Sequence, residues 1–185
     1  MRRIGAAVLV ATALVPALAS PAAGASAIGS ARLQGQFRLS GTVISALHVP
    51  GEHRGKHVVR LWTFTPGCRA GACAKVALVR ARAHGYDRLT LHRRAPGYYS
   101  GKGIFDAPAR CGGRTYPRGE AVPFKITVRI TATTRAGAAV VASRIKATYR
   151  NRSRVNRTPC VKLPAHDAAK YRGRLVTLTP PAGTP

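Results

Sequence analysis

The chain contains very few acidic residues: five Asp and Glu stand against 31 Lys and Arg, and the formal net charge is +26 over 185 residues. The acids are Glu52, Asp87, Asp106, Glu120 and Asp167. They are scattered along the sequence, so the paired carboxylates that glycoside hydrolysis requires are not predicted. A surface with so little negative charge repels its own copies and attracts polyanions. We therefore expect a monomer with an anionic partner.

The sequence also lacks common catalytic motifs, because it has neither a Gly-x-Ser-x-Gly turn nor a His-Glu-x-x-His helix. His48, His53 and His57 lie close together in the sequence, but their intervals fit no standard metal site on a strand or a helix. We predict a non-enzymatic protein that uses no cofactor and no metal.

Long apolar runs are absent after residue 25, so no transmembrane segment is predicted. Within residues 1–25, Arg2 and Arg3 precede an apolar stretch, and residues 23–25 fit the Ala-x-Ala cleavage rule. This pattern predicts a signal peptide and a secreted or cell-envelope-associated protein. We divide the rest into a flexible leader at 26–32, a single β domain at 33–178 and a disordered Pro-rich tail at 179–185.

Cysteine is scarce, with four residues, and an even number in an exported chain favours two disulfides. Three pairings are possible. A turn-like spacer of four residues lets Cys68 reach Cys73, which leaves Cys111 to pair with Cys160. Zinc is the competing interpretation, although the spacing lacks paired Cys-x-x-Cys or His-x-x-x-His elements. A loop braced by Cys68 and Cys73 would also suit a secreted protease inhibitor.

Helical periodicity is nearly absent after the leader, apart from one or two possible turns at 165–171. Period-two alternation dominates instead, most clearly at 124–131, which we expect to form a hairpin with 141–150. Residues 111–118 read as a loop. The predicted strands are 37–43, 57–64, 75–83, 87–93, 98–105, 124–131, 141–150 and 171–178. About eight short antiparallel strands predict an all-β fold, either an up-and-down barrel or a two-sheet sandwich.

The densest basic run is at 150–157, where arginines alternate with other residues. Arginine forks match phosphate groups, so this run predicts a patch that binds anionic polymers or an envelope surface, such as teichoic-type phosphates, acidic lipid headgroups or extracellular nucleic acid. A solvent-exposed edge strand protected by its charge is the alternative. The candidate contact residues are Arg144, Lys146, Arg150, Arg152, Arg154 and Arg157.

A second functional hypothesis follows from the aromatic residues. Trp62, Phe64, Phe124 and Ile126 could line an apolar cavity in a barrel that carries a small ligand. Aromatic residues at strand positions are more often simply part of the core.

Several segments carry a resemblance to known sequences. They are residues 111–116, 123–128 and 147–160, with 62–68 and Cys73 upstream. Together they resemble exported actinobacterial β-domain proteins of unknown role. The resemblance implies secretion and paired cysteines, and it implies no activity and no catalytic residues.

Overall fold

The computed structural model describes residues 27–82 and 85–178. The expected signal peptide at 1–25 and the expected tail at 179–185 lie outside the described residues. The described part of the chain is built from antiparallel strands. In chain order they are β1 (Gly35–Leu47), β2 (His57–Pro66), β3 (Lys75–Ala81), β4 (Tyr86–Ala95), β5 (Tyr98–Cys111), β6 (Arg114–Ala136), β7 (Ala139–Asn151), β8 (Val155–Asn156) and β9 (His166–Thr177).

The strands form one sheet that closes into a ring, which decides between the two expected architectures in favour of the barrel. Sequential neighbours pair from β1 to β7. The ring then closes through β9, which lies between β7 and β1. The two-residue β8 adds to the outside of the ring by pairing with β6. Eight strands leave an interior just wide enough for side chains to fill.

Inward-pointing side chains fill this interior because apolar residues occupy alternate strand positions. Trp62 and Phe64 are each 1% exposed. The Phe64 ring meets Phe37 edge-on with centroids 5.4 Å apart, and the Trp62 ring lies 5.5 Å from that of Tyr171. Burying each large apolar side chain stabilises the fold by about 1.5–3 kcal/mol.

The segment that we expect to be a flexible leader packs against the barrel where the structure describes it. Residues 27–30 form a helical turn, and the side chains of Ala31 and Leu33 that follow are fully buried in the core. Arg32 is held to Val140 and Ala142 of β7 by two backbone hydrogen bonds, each 2.9 Å long. With these apolar side chains, the segment closes one end of the barrel.

Two local predictions are also corrected. The segment 111–118 is not a loop, because β5 and β6 run up to a two-residue turn at Gly112 and Gly113. Both glycines have positive φ, at 55° and 78°, as the tight turn of a hairpin requires. The segment 165–171 is not helical, since β9 begins at His166 and pairs on both sides. Those two ladders override the helical propensity of its alanines.

The described cysteines form the two predicted disulfides, Cys68–Cys73 and Cys111–Cys160, and no cysteine in the described residues is free. The first closes a short loop after β2. The second joins the end of β5 to the segment between β8 and β9. Disulfides of this kind are typical of proteins in oxidising compartments.

Candidate functional site

The outward side chains of five neighbouring strands form one basic surface. Apolar residues such as Ile145 and Ala147 point inward on β7, so the basic residues that alternate with them point to solvent. The same alternation holds on β1, β9, β6 and β5. We call this surface the basic face. Its exposed residues are Arg38, Lys102, Lys125, Arg129, Arg144, Lys146, Arg150, Lys170, Arg172 and Arg174.

Residues of like charge lie directly opposite each other across this face. Arg174 on β9 is in register with Arg38 on β1 and with Arg144 on β7. Two further rows repeat the arrangement: Arg172, Lys146 and Arg129 in one, and Arg150, Lys125 and Lys102 in the other. Directly opposed like charges destabilise a sheet, because their Cβ atoms are only about 4.5–5.5 Å apart. The stability of the fold therefore does not explain why cations occupy these opposed positions.

Carboxylates do not neutralise the basic face. Among the described residues, none of its side chains takes part in an ion pair. The five acids are paired elsewhere: Glu52 with Lys56, Asp87 with Arg80 and Arg82, Asp106 with Arg118 and Arg157, Glu120 with Arg154 and Lys162, and Asp167 with Arg154. The ten cations of the basic face are therefore left open to solvent.

Four of the six sequence-predicted contact residues lie on or beside the basic face. Arg144, Lys146 and Arg150 alternate along β7 and are exposed. Arg152 follows the end of β7, is also exposed, and lines the same groove as Arg150. The predicted alternation is thus correct for β7.

Arg154 is placed differently from the prediction, which put it in a solvent-exposed position. Its side chain is only 10% exposed and folds back against the barrel. Nη1 donates to Glu120 at 3.1 Å and Nη2 donates to Asp167 at 3.0 Å. Its charge is therefore already paired with two acids, and these ion pairs link the segment after β7 to β6 and β9.

The ion pairs around Arg154 change the proton affinities of both carboxylates. Burial disfavours the charged form of Glu120, but hydrogen bonds from Lys162 and Arg154 outweigh it and lower the pKa of Glu120 below its ordinary value. Burial dominates at Asp167, so its pKa is raised despite the hydrogen bond from Arg154.

Arg157 also lies away from the basic face. Its side chain is half exposed, and its Nη1 donates to Asp106 on β5 at 2.9 Å. Its backbone N–H donates to the Gly119 carbonyl at 2.8 Å, which anchors the segment after β8 to β6. The six predicted residues therefore divide into four exposed cations and two that pair with acids.

A shallow groove of about 930 Å³ crosses the basic face where β5, β6 and β7 meet. Lys102, Lys125 and Arg150 lie along it. Between the charges, the hydroxyls of Thr127 and Thr148 are hydrogen-bonded across β6 and β7 at 2.6 Å. The groove offers guanidinium, ammonium and hydroxyl groups to an extended anionic chain.

Sequence reasoning missed much of the basic face. Arg38, Lys170, Arg172 and Arg174 belong to it because β9 lies between β1 and β7. A signal for β9 is visible in the sequence, since basic residues alternate with Tyr171 and Gly173. What the sequence does not display is the pairing that brings this strand beside β1.

The residues of the proposed apolar cavity pack in the core. Trp62, Phe64, Phe124 and Ile126 are at most 4% exposed. Only Trp62 among them lines the cavity of about 280 Å³ at one end of the barrel, whose wall combines apolar and aromatic side chains with six charged ones. These four side chains therefore belong to the hydrophobic core of the barrel.

The three clustered histidines form hydrogen bonds with different groups. His48 Nδ1 hydrogen-bonds the Pro164 carbonyl at 2.9 Å, and His57 Nε2 hydrogen-bonds Ser40 at 3.3 Å. Within residues 27–82 and 85–178, no three His, Cys, Asp or Glu side chains are grouped as a metal site.

Over the same described ranges, no helix is long and apolar enough to cross a membrane. Comparison of the chain with known protein families, with curated proteins and with solved structures finds no match. The resemblance to exported actinobacterial β-domain proteins therefore remains a prediction.

Proposed function

We propose that this protein is a non-enzymatic module that binds anionic polymers through the basic face. The observation that carries the proposal is the row of directly opposed arginines Arg38, Arg174 and Arg144, which have no ion pair with a carboxylate among the described residues. Such a row costs folding stability, and an anionic ligand that lies across it removes that cost.

The position of the charges distinguishes this proposal from a generally basic, solvent-exposed surface. Edge strands use charge to block unwanted pairing, but β9, β7 and β6 are paired on both sides within a closed ring. Protection of an edge therefore does not explain cations on these strands.

Phosphate-rich polymers suit the basic face best. Arginine, which supplies six of its cations, presents a planar fork that binds phosphate through two hydrogen bonds. Neighbouring strands are about 4.8 Å apart, and outward residues along one strand are about 6.8 Å apart, so the charges form a two-dimensional lattice. A lattice on a convex barrel wall recognises charge density rather than one sequence or sugar. We expect broad polyanion binding.

The proposed setting is the cell envelope or the extracellular space. The two disulfides suit an oxidising compartment, and polymers with repeated phosphates are available there. In this proposal the protein is secreted as a monomer, and its positive charge retains it on these polymers.

Lysine protection tests the location of the contact directly. The protein is treated with an amine-acetylating reagent, with and without long-chain inorganic polyphosphate, and the modified lysines are quantified by mass spectrometry. We expect polyphosphate to protect Lys102, Lys125, Lys146 and Lys170. Lys75 is the internal control, because it is exposed on β3 outside the basic face. Equal protection of Lys75, or no protection of the four, would contradict the proposal.

A further inference from the structure

The barrel end opposite the N-terminal closure holds a cavity that the basic face does not use. Its volume is about 280 Å³, equal to the liquid volume of about nine water molecules. Four arginines and two acids contribute to its wall, and both acids are ion-paired, Glu52 with Lys56 and Asp167 with Arg154. The arginines are Arg60, Arg80, Arg82 and Arg154. An eight-stranded barrel either fills such a layer with side chains or leaves room for one small ligand, and here the layer stays open.

Arg80 is buried and only partly satisfied. Its side chain is 9% exposed, its Nη2 is ion-paired with Asp87, and its guanidinium lies 4.2 Å from the Phe124 ring centroid. Its buried Nε has no hydrogen-bond partner among the residues that the structure describes. A buried N–H left without an acceptor costs about 1–3 kcal/mol.

Arg60 adds a further cation to the cavity wall. Within the described residues it has no ion pair, and its Nη1 donates to the Val59 carbonyl at 3.0 Å. Arg60 and Arg80 line the same cavity. An anion between them would accept charge-assisted hydrogen bonds, which are about twice as strong as neutral ones.

Aromatic rings supply an apolar wall beside these cations. Trp62 and Tyr171 both line the cavity, with ring centroids 5.5 Å apart. Mouths of barrels are common ligand sites when a few polar groups converge against such a wall.

We propose that this cavity binds a small organic anion. Its carboxylate or phosphate group accepts hydrogen bonds from the guanidinium groups of Arg60 and Arg80, and its flat apolar body packs on Trp62 and Tyr171. The site is separate from the basic face, and it takes one small molecule rather than a polymer. The ligand is anionic, in contrast to the apolar ligand that the sequence suggested.

Trp62 reports on this cavity, because it is the only tryptophan in the chain. The protein is titrated with benzoate, phenyl phosphate and the neutral benzamide while tryptophan emission is recorded. We expect a saturable change with benzoate or phenyl phosphate, and the preferred compound identifies the anionic group. No change with either anion, or an equal change with benzamide, would overturn the proposal.

Matched variants assign the response to the cavity. Arg60→Gln should weaken binding at least about tenfold, since it removes a charge-assisted contact while leaving the Arg80–Asp87 pair in place. Arg88→Gln removes one exposed charge from β4 outside the cavity and should leave the affinity unchanged. Equal weakening in both variants would show an effect of overall charge and would overturn the assignment.

Discussion

Arg144 on β7 lies directly opposite Arg174 on β9, and Arg174 is in turn opposite Arg38 on β1. Three cations therefore stand side by side across adjacent strands with no acid between them. This arrangement opposes folding and favours an anionic ligand, so stability and binding should respond in opposite directions when it is changed.

Arg174→Gln should stabilise the protein and weaken its binding to polyanions. The substitution removes two like-charge contacts, so we expect the free energy of unfolding at low salt to rise by about 0.5–1 kcal/mol. The gain should shrink in high salt because exposed charges are then screened. Denaturant unfolding at two salt concentrations measures this effect. A loss of stability at low salt would contradict the account of the face.

Arg154→Gln should destabilise the protein far more than Arg150→Gln. Removing Arg154 leaves Glu120 and Asp167 without their shared partner, which should cost about 2–4 kcal/mol of unfolding free energy. Arg150 has no ion pair among the described residues, so its substitution should change stability by less than about 0.5 kcal/mol. Thermal and denaturant unfolding of the two variants measure these two changes in stability. Similar stability losses would mean that the ion pairs of Arg154 do not hold the segment after β7 against β6 and β9.

Stability should fall at alkaline pH. Burial raises the pKa of Tyr99, Tyr149 and Tyr171 above the ordinary value of about 10. The folded state therefore holds these phenolic protons more tightly than the unfolded state does. Their contribution is fully present below pH 10 and is lost as the pH rises toward the folded-state values.

Unfolding free energies measured between pH 8 and 12, together with tyrosinate absorbance, test this expectation. Tyr149→Phe should flatten the decline, because it removes one of the three ionising groups. A constant free energy across this pH range would exclude the effect.

The two disulfides should contribute unequally. The Cys111–Cys160 bridge spans 49 residues and the Cys68–Cys73 bridge spans five. Loop-closure entropy predicts losses of about 4 and about 2 kcal/mol respectively when each pair is replaced by alanine. Comparing the unfolding free energies of the two double variants checks the ranking, and a larger loss for the short bridge would reverse it.

The sequence predicted the local part of the fold well and the non-local part poorly. The β6–β7 hairpin could be predicted because alternation and a turn are both local signals. The insertion of β9 between β1 and β7 could not, because it depends on pairing between distant segments. The same limit hid Arg38 and Arg174 from the candidate site. It also hid the burial of Arg154, since the acids that hold it lie on β6 and β9.

The central claim is that one face of the barrel, rather than total charge, binds polyanions. Two variants with equal charge loss separate these alternatives. The face variant replaces Arg144, Lys146, Arg172 and Arg174 with Gln, and the control variant replaces Arg69, Lys75, Arg88 and Arg110, which are exposed outside the basic face.

The decisive measurement is the slope of log affinity against log salt for duplex DNA. If each of the four face residues contacts a phosphate, the slope of the face variant should be flatter than that of the parent by about 3.6. The control variant should keep the parent slope. Equal flattening in both variants, or none in either, would contradict the claim.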